Sequence, residues 1–448
     1  MQSRGIRTGR ETFTKHRIVV RSIYWFRNDL RVSDNPGLRK ALEASSEVVP
    51  VFIYEDRLWE EDEWGNRKTG EFRTQFLIES VADLKEALED LGSSLIVKKG
   101  DPAVILKELA DECDASEVYA NKEHTREELD VEKEVAEVVN LHLEEGHTLF
   151  HPEDLPMDLR DLPDIFTQFR KAVEKRSQVR DLIPEPEVIS SPDLPKGKLP
   201  ELADFGYEKP SLDPRGVLEF KGGAVAAWER IDHYFWDTKK LGVYKQTRNG
   251  LIGADYSSKI SPWLANGSIS PREIYHEVQR YEAEHGSNQS TYWLIFELIW
   301  RDYFRFVAMK YQDRIFYKSG IKASSPKWLT NDRIFSRWAE GRTGDSFVDA
   351  NMKELTRTGW MSNRGRQNVA SYLVHDMGID WRMGASFFEK YLLDHDPCSN
   401  YGNWIYVAGV GNDPRPNRKF NTKKQAEMYD PKGKYQQIWN NELLELNL

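Results

Sequence analysis

A cluster of hydroxyl groups and one ammonium group lies at Ser257, Ser258, Lys259 and Ser261. Ser261 precedes Pro262, and a serine followed by proline is a common start of a helix, so we predict a helix N-terminus there with Ser261 as N-cap. Hydroxyl and ammonium groups beside a helix N-terminus can bind a phosphate group. The alternative is that Ser261 and Ser270 are two ordinary helix caps with no ligand.

A carboxylate and an arginine lie one turn apart in the largely apolar segment Thr291–Lys310. Helical spacing places Glu297, Trp300, Arg301 and Phe304 on one face. Because the flanking residues are apolar, burial would favour the neutral form of Glu297. These side chains could line a pocket for a polar, planar ligand, or Glu297 and Arg301 could be a buried structural pair.

Amide and carboxylate side chains recur in two later segments. Thr358–Met377 places Asn363, Arg366 and Gln367 on one helical face, and Leu393–Asn403 contains Asp394, Asp396 and Asn400. Arg366 could pair with either aspartate. Such groups could hydrogen-bond the edge of a heteroaromatic ring or bind a cation. A metal site is the weaker interpretation because no histidine pair has ligand spacing.

Several classes of protein are excluded by what the sequence lacks. It contains no Walker A loop, dinucleotide-binding glycine motif, nucleophile elbow or zinc-protease motif. Its two cysteines, Cys113 and Cys398, are too few for a disulfide framework or a cysteine-rich metal site. No apolar run is long enough to span a bilayer, and Met1–Arg21 lacks the apolar core of a secretory signal. We therefore expect a cytoplasmic protein with no membrane segment and no metal.

Charge and tryptophan are unevenly distributed between the two halves of the chain. Residues 1–210 have a net charge of −15 and residues 211–448 a net charge of +5, which together give the −10 of the whole chain. Eleven of the 14 tryptophans lie in that second half. A positive face would suit a polyanion, and many large rings suit an aromatic ligand or a large core.

The elements that must position these residues change type along the chain. Apolar runs predict strands at 18–26, 48–54, 95–97 and 117–120, and helical periodicity lies between them, including 76–91 and 102–110. This alternation predicts a parallel sheet with crossover helices over residues 18–150. Residues 151–214 are rich in proline and predict a connector with one helix at 165–178, and residues 215–448 are helical. Residues 1–17 form a basic arm that is either a loose tail or an organellar address.

Four segments resemble the photolyase/cryptochrome family. They are Tyr24–Pro36, Ser257–Ala265, Trp360–Arg366 and Asp380–Arg382. Asn400–Asp413 and Gly365–Val369 resemble its DASH-type branch, and the resemblance extends from about Val20 to Trp439. It implies an α/β N-terminal domain with a Rossmann-like parallel sheet and an all-α C-terminal domain that binds FAD in a bent form.

The resemblance also implies a role for particular residues. FAD contacts would come from Tyr244, Ser257, Ser258, Ser261, Trp360, Asn363, Arg366, Asp394, Asp396 and Asn400. The lesion pocket would contain Glu297, Arg248, Trp300, Arg301, Gln367 and Tyr406. Trp404, Trp381 and Trp328 would carry electrons between the flavin and the surface, and Glu123 would bind an antenna of the 5,10-methenyltetrahydrofolate type.

The implied activity is light-driven repair of cyclobutane pyrimidine dimers by an electron from excited, reduced FAD. Gln367 and Tyr406 replace the methionine and tryptophan that are common in enzymes acting on duplex DNA. The pocket is then more polar and offers less stacking area, so we expect a preference for single-stranded DNA, in which a dimer is extruded easily. The alternative function is a blue-light photoreceptor that signals through flavin photoreduction. We expect a monomer.

Overall fold

The computed structural model describes residues 19–193, 196–322, 324, 326–415 and 419–441. The predicted basic arm at 1–17 lies outside these residues. Five parallel strands form one sheet in the order β3-β2-β1-β4-β5. The strands are β1 (Arg21–Phe26), β2 (Glu47–Glu55), β3 (Ile96–Gly100), β4 (Glu117–Asn121) and β5 (Asn140–Glu144). This order, with the first strand in the middle, confirms the Rossmann-like sheet.

The predicted strands are found, and one further strand was missed. β1 and β2 are almost entirely buried, which explains their continuous apolar sequences. β1 begins at Arg21, so Val19 and Val20, which the prediction included, precede it. β5 escaped prediction because it lies at the sheet edge and has the mixed sequence NLHLE, of which no residue is fully buried.

Helices cover both faces of the sheet and continue into the connector. They are α1 (Pro36–Ala44), α2 (Glu71–Asp90), α3 (Pro102–Cys113), α4 (Arg126–Ala136) and, within the connector, α5 (Phe166–Arg176). The predicted cap of α3 is present, because Asp101 accepts a hydrogen bond from Val104 N at 3.0 Å. Phe169 on α5 is fully buried in the core of the helical domain, so this part of the connector is structural.

The second half of the chain is helical, as predicted. Its helices are α6 (Ala224–Asp232), α7 (Tyr244–Thr247), α8 (Ser261–Ala265), α9 (Pro271–His285), α10 (Gln289–Tyr311), α11 (Asp332–Ala339), α12 (Ser346–Thr358), α13 (Asn363–Ser371), α14 (Trp381–Tyr391), α15 (Pro397–Val407), α16 (Thr422–Tyr429) and α17 (Lys434–Asn440). The central helix α10 is amphipathic only in part, since most of its residues are buried among its neighbours. No helix among the described residues is long and apolar enough to cross a membrane.

Of the two helix caps predicted in this half, that of α9 is confirmed and that of α8 is wrong. Ser270 caps α9 with a capping box: its hydroxyl accepts from Glu273 N at 3.0 Å, and its own N–H donates to Glu273 Oε2 at 2.7 Å. Ser261 is not the cap of α8. It is the first helical residue, Ile260 occupies the N-cap position, and the hydroxyl of Ser261 bonds a distant aspartate instead.

Polar contacts tie the sheet domain to the helical domain. Arg31 donates to Gly267 O and to Gly146 O, each at 3.0 Å. Asp34 accepts hydrogen bonds from Ser270 Oγ and Arg272 Nε, and it is fully buried. Because these buried polar groups hydrogen-bond one another across the domain boundary, they fix how the sheet domain and the helical domain meet. They therefore also set the position of the space between the two domains.

Candidate functional site

Most of the predicted site residues surround one cavity of about 420 Å³, here called the helical-domain cavity. Its walls come from α7, α8, α10, α13, α15 and the segments that precede α8 and α15. The predicted residues that line it are Tyr244, Arg248, Ser257, Ser258, Ser261, Glu297, Trp300, Arg301, Trp360, Asn363, Arg366, Gln367, Asp394, Asp396 and Tyr406. The fold therefore brings together segments that are up to about 160 positions apart in the chain.

Asp394 is the central polar group of one wall. Its Oδ2 accepts from Ser261 Oγ at 2.6 Å and from Arg366 Nη2 at 3.0 Å. The residue pattern left open which aspartate Arg366 pairs with, the family resemblance implied Asp394, and the structure shows the pair with Asp394. Oδ1 of Asp394 lies 3.0 Å from Arg366 Nη1 in an ion pair but has no hydrogen bond of acceptable geometry among the described residues.

Asp396 has a different partner. It forms a buried ion pair with Arg305 of α10, and its Oδ1 accepts from Ser399 N at 2.7 Å as the N-cap of α15. Arg305 and Arg301 hold the pKa of Asp396 down at about 2, in spite of the burial that opposes this. Asp396 is therefore a fixed negative charge in the cavity wall.

Glu297 pairs with Arg248 rather than with Arg301. Arg248 Nη1 donates to Glu297 Oε1 across the gap between α7 and α10. Burial raises the pKa of Glu297, and the Arg248 guanidinium opposes the rise. Arg301, one turn along, donates instead to the backbone oxygens of His147 and Leu264, at 2.5 and 3.2 Å. The predicted i,i+4 pair is thus wrong, because Arg301 points towards the domain interface.

Trp300 presents only part of its ring to the cavity. Phe166 of α5 stacks on it with ring centroids 3.6 Å apart and planes at 14°. Tyr406 meets it edge to face at 5.9 Å and 86°. Gln367 accepts a hydrogen bond from Arg364 Nη1 at 2.9 Å. One side of the cavity therefore combines an aromatic edge with amide, guanidinium and carboxyl groups.

Lys259 lines the cavity, but its ammonium group is turned away from it. Nζ donates to Ala254 O at 2.7 Å and lies 3.2 Å from the centroid of the Tyr256 ring. Burial lowers the pKa of Lys259 to about 6. Because Lys259 Nζ already contacts Ala254 O and the Tyr256 ring, it is not the phosphate-binding group that the sequence predicted. The hydroxyl groups of Ser257 and Ser258 are the donors left for a ligand in the cavity.

Asn400 and the three predicted electron-carrying tryptophans do not line this cavity. Asn400 is buried, and its Nδ2 donates to Ala385 O at 3.0 Å. Trp404 on α15 and Trp381 on α14 are buried, whereas Trp328 is half-buried. A Cβ added at Gly384, one turn from Trp381, would lie 2.2 Å from Trp404 Cη2. α14 thus packs tightly against Trp404.

Glu123 lies at a second, larger cavity, here called the interdomain cavity. It has a volume of about 630 Å³ and is lined from both domains, including Arg27, Glu128, Arg305, Glu389 and Tyr401. Asn28 Nδ2 donates to Glu123 Oε1 at 2.9 Å, and Arg305 Nη1 lies 3.7 Å from Oε2. Burial raises the pKa of nearby Glu128 to about 7. The cavity therefore offers several carboxyl groups of different charge.

Two polar residues of the helical-domain cavity, Ser399 and Asn403, were missed by sequence reasoning. Asn403 follows Asn400 by three positions, so helical spacing places both near one face of α15. The pairing of Asp396 with Arg305 had no sequence signal, since Arg305 is one of several charged residues on α10.

Comparisons with known proteins agree with this architecture. Residues 22–188 match the family model described as DNA photolyase, and residues 293–447 match the FAD binding domain of DNA photolyase. A Cryptochrome DASH of Danio rerio is 48% identical over 93% of this chain and 82% of its own. One of Arabidopsis thaliana, named as chloroplastic/mitochondrial, is 48% identical over 95% of this chain and 76% of its own.

A solved structure gives the same result in three dimensions. The crystal structure of a cryptochrome from Synechocystis sp. PCC6803 superposes with a TM-score of 0.92 at 45% identity, covering 96% of this chain and 90% of that one. The fold of the sheet domain and of the helical domain is therefore shared over almost the whole chain. The chain belongs to the photolyase/cryptochrome family, within its Cryptochrome DASH branch.

Proposed function

We propose that the chain repairs cyclobutane pyrimidine dimers in single-stranded DNA with light, by means of FAD held in the helical-domain cavity. The observation that carries this proposal is the half-buried Glu297–Arg248 pair in the same cavity as the Ser261–Asp394–Arg366 cluster. One end of the cavity then has groups for a lesion, and the other has groups for a flavin nucleotide.

The donors and acceptors of the cavity suit FAD. The hydroxyls of Ser257 and Ser258 are placed to donate to a diphosphate. The buried Oδ1 of Asp394, which lacks a hydrogen bond among the described residues, could accept one from a flavin N–H group. Tyr244, Trp360, Asn363, Arg366 and Asp396, which line the cavity, complete the set that we assign to FAD in the roles that the resemblance gives them. Asn400 does not line the cavity, and its proposed contact with FAD rests on the resemblance alone.

Bound reduced FAD supplies one electron to the dimer after excitation and recovers it once the dimer has split. The residues of the chain bind and orient the lesion. In its protonated form, which burial favours by raising its pKa, Glu297 would donate a hydrogen bond to a pyrimidine carbonyl and so stabilise the negative charge that develops there. Arg248 holds the carboxyl group in place, and the free edge of Trp300 gives the bases an apolar contact.

The preference for single strands rests on the aromatic area that the cavity offers. Phe166 covers one face of Trp300, and Tyr406 meets that ring only by an edge. A cavity with so little exposed aromatic surface gains less binding free energy from stacking on an extruded dimer. We therefore expect efficient binding only where the bases are already unpaired, since extrusion from a duplex costs a few kcal/mol.

We further propose that the interdomain cavity binds a 5,10-methenyltetrahydrofolate antenna through Glu123. A pterin ring presents N–H donors that a fixed carboxylate accepts, and Asn28 orients Glu123 by a 2.9 Å hydrogen bond. The cavity of about 630 Å³ has room for such a ring system. We also expect the protein to be a cytoplasmic monomer. The alternative is that residues 1–17 direct it to an organelle.

Repair of matched oligonucleotides tests the proposal. The flavin-loaded, reduced protein is illuminated with a dimer-containing strand, alone and annealed to its complement. We expect restored thymine from the single strand and at most a tenth of that rate from the duplex. No restored thymine from either substrate would overturn the repair function and favour the photoreceptor alternative, which needs flavin photoreduction but no lesion chemistry.

A further inference from the structure

Trp381 has an aromatic neighbour that the predicted electron chain does not include. The ring of Tyr401 lies edge to face with that of Trp381, with centroids 6.1 Å apart and planes at 79°. Tyr401 is on α15, three residues before Trp404, and Trp381 is the first residue of α14. Tyr401 therefore lies beside the middle member of the proposed chain.

The hydroxyl group of Tyr401 has a proton acceptor within hydrogen-bonding distance. It donates to Glu389 Oε2 at 3.2 Å, within the range over which a side chain can accept a proton. Phe316 packs edge to face on the Tyr401 ring at 4.5 Å and holds it in place. Burial raises the pKa of the Tyr401 phenol well above its ordinary value, so the ring cannot lose its proton without such an acceptor.

Glu389 and Tyr401 both line the interdomain cavity, which links the buried rings to the outside of the protein. Charges of both signs face Glu389 from the surrounding elements. They are Arg73 on α2, Lys68 before it, Glu127 and Glu128 on α4, and His395 before α15. Burial raises the pKa of Glu389 to about 7, so near neutral pH a large share of this carboxyl group is ionised and can take a proton.

We propose that Tyr401, with Glu389 as its proton acceptor, is a further electron donor to Trp381 and forms a second exit of the electron chain into the interdomain cavity. This inference rests on the proposed binding of FAD and on flavin photoreduction through Trp404, Trp381 and Trp328, in which light-excited oxidised flavin is the oxidant. The flavin gains one electron from Trp404, and Trp404 recovers it from Trp381. Tyr401 gives one electron to Trp381 and its phenolic proton to Glu389, which leaves a neutral tyrosyl radical and a neutral carboxylic acid.

This exit differs in one respect from the exit through Trp328. The electron on the flavin can return to a tryptophan radical cation as soon as that cation forms, whereas its return to the Tyr401 radical requires the proton to move back from Glu389. The separated charges therefore persist for longer. The radical also lies at the wall of a cavity that a soluble reductant can reach.

Electron paramagnetic resonance after a light flash tests the inference in flavin-loaded, oxidised protein with ring-deuterated tyrosine. We expect a tyrosyl radical in the unmodified chain, identified by the narrowing that deuteration causes. Tyr401→Phe should reduce this signal at least tenfold. Glu389→Gln should reduce it strongly as well and should abolish its increase as the pH rises through about 7.

Two control variants make the result specific. Tyr391→Phe removes another partly buried tyrosine hydroxyl next to α14 and should leave the signal unchanged. Trp328→Phe removes the other exit and should leave the tyrosyl radical in place. A tyrosyl signal that survives Tyr401→Phe, or a purely tryptophan radical in the unmodified chain, would overturn the inference while photoreduction itself continues. If no photoreduction occurs at all, the proposed flavin chemistry fails, and the inference fails with it.

Discussion

Arg305 forms a buried ion pair with Asp396, and the two side chains lie between the interdomain cavity and the helical-domain cavity. Asp396 lines both cavities, and Arg305 also lies 3.7 Å from Glu123 Oε2. All three side chains are at most 6% exposed. Because charges interact strongly where water is excluded, the proposed antenna carboxylate and the proposed flavin site share one electrostatic network.

Asp396→Asn should destabilise the flavin-free protein. The change leaves the buried Arg305 without its close partner, and breaking a buried pair from one side costs about 3–5 kcal/mol. The pKa of Asp396 in the folded state, about 2, is below its ordinary value, so its contribution is present above pH 4 and is lost as the pH falls towards 2. Urea unfolding at pH 7 and at lower pH measures both effects.

Asp111→Asn is the matched control for this change. Asp111 is 67% exposed in an i,i+4 pair with Lys107, and such pairs contribute at most about 1 kcal/mol. Equal losses of stability for Asp396→Asn and Asp111→Asn would contradict a structural role for the buried pair.

Trp404→Phe should abolish photoreduction of the flavin and leave the flavin bound. Trp404 is 2% exposed and does not line the helical-domain cavity, so the change removes an electron donor rather than a wall of the site. Trp338 is the control, since it meets Trp404 edge to face at 6.2 Å but is absent from the predicted chain. Flash absorption should show normal reduction in Trp338→Phe, and normal reduction in Trp404→Phe would refute the assignment.

Glu297→Ala should lower the yield of dimer repair several-fold with FAD retained. In the folded protein the pKa of Glu297 is raised, so its protonated, donating form persists to higher pH than for an ordinary glutamate and is lost as the pH rises further. Glu297→Gln keeps a hydrogen-bond donor at every pH, so this variant should not lose repair yield as the pH rises. The repair yield as a function of pH distinguishes the variants. An identical profile for all three proteins would mean that Glu297 does not touch the lesion.

Glu123→Gln should abolish binding of 5,10-methenyltetrahydrofolate while the FAD content stays the same. The neutral amide no longer offers a charged acceptor to the pterin ring. Glu127→Gln, at the same cavity but 50% exposed, is the control and should bind the folate normally. Absorption spectroscopy of both variants after incubation with the folate makes the comparison, and equal binding would remove Glu123 from the site.

The sequence predicted the elements and the site segments better than the contacts between them. Buried strands such as β2 and capped helices such as α9 carry their own local signals, and the serines at 257–261 lie at the cavity as expected. Spacing alone did not predict the partner of each charged group, although the family resemblance implied the Arg366–Asp394 pair. Arg366 pairs with Asp394 because Arg305, from a helix about 60 residues earlier, already holds Asp396.

The orientation of single side chains also depends on tertiary contacts. Lys259 has a left-handed backbone conformation with φ of 55°, and its ammonium group turns to backbone carbonyls. Arg301 is on the predicted face of α10 but reaches the domain interface. Neither outcome follows from spacing, because both depend on oxygen atoms that the fold brings near.

The flavin content of the purified chain tests the central claim most directly, because every proposed step needs FAD in the helical-domain cavity. We predict a yellow protein with one FAD per chain, or full uptake of added FAD, and a tenfold or greater loss of affinity in Asp394→Ala. A folded, colourless protein that takes up no FAD would contradict the account.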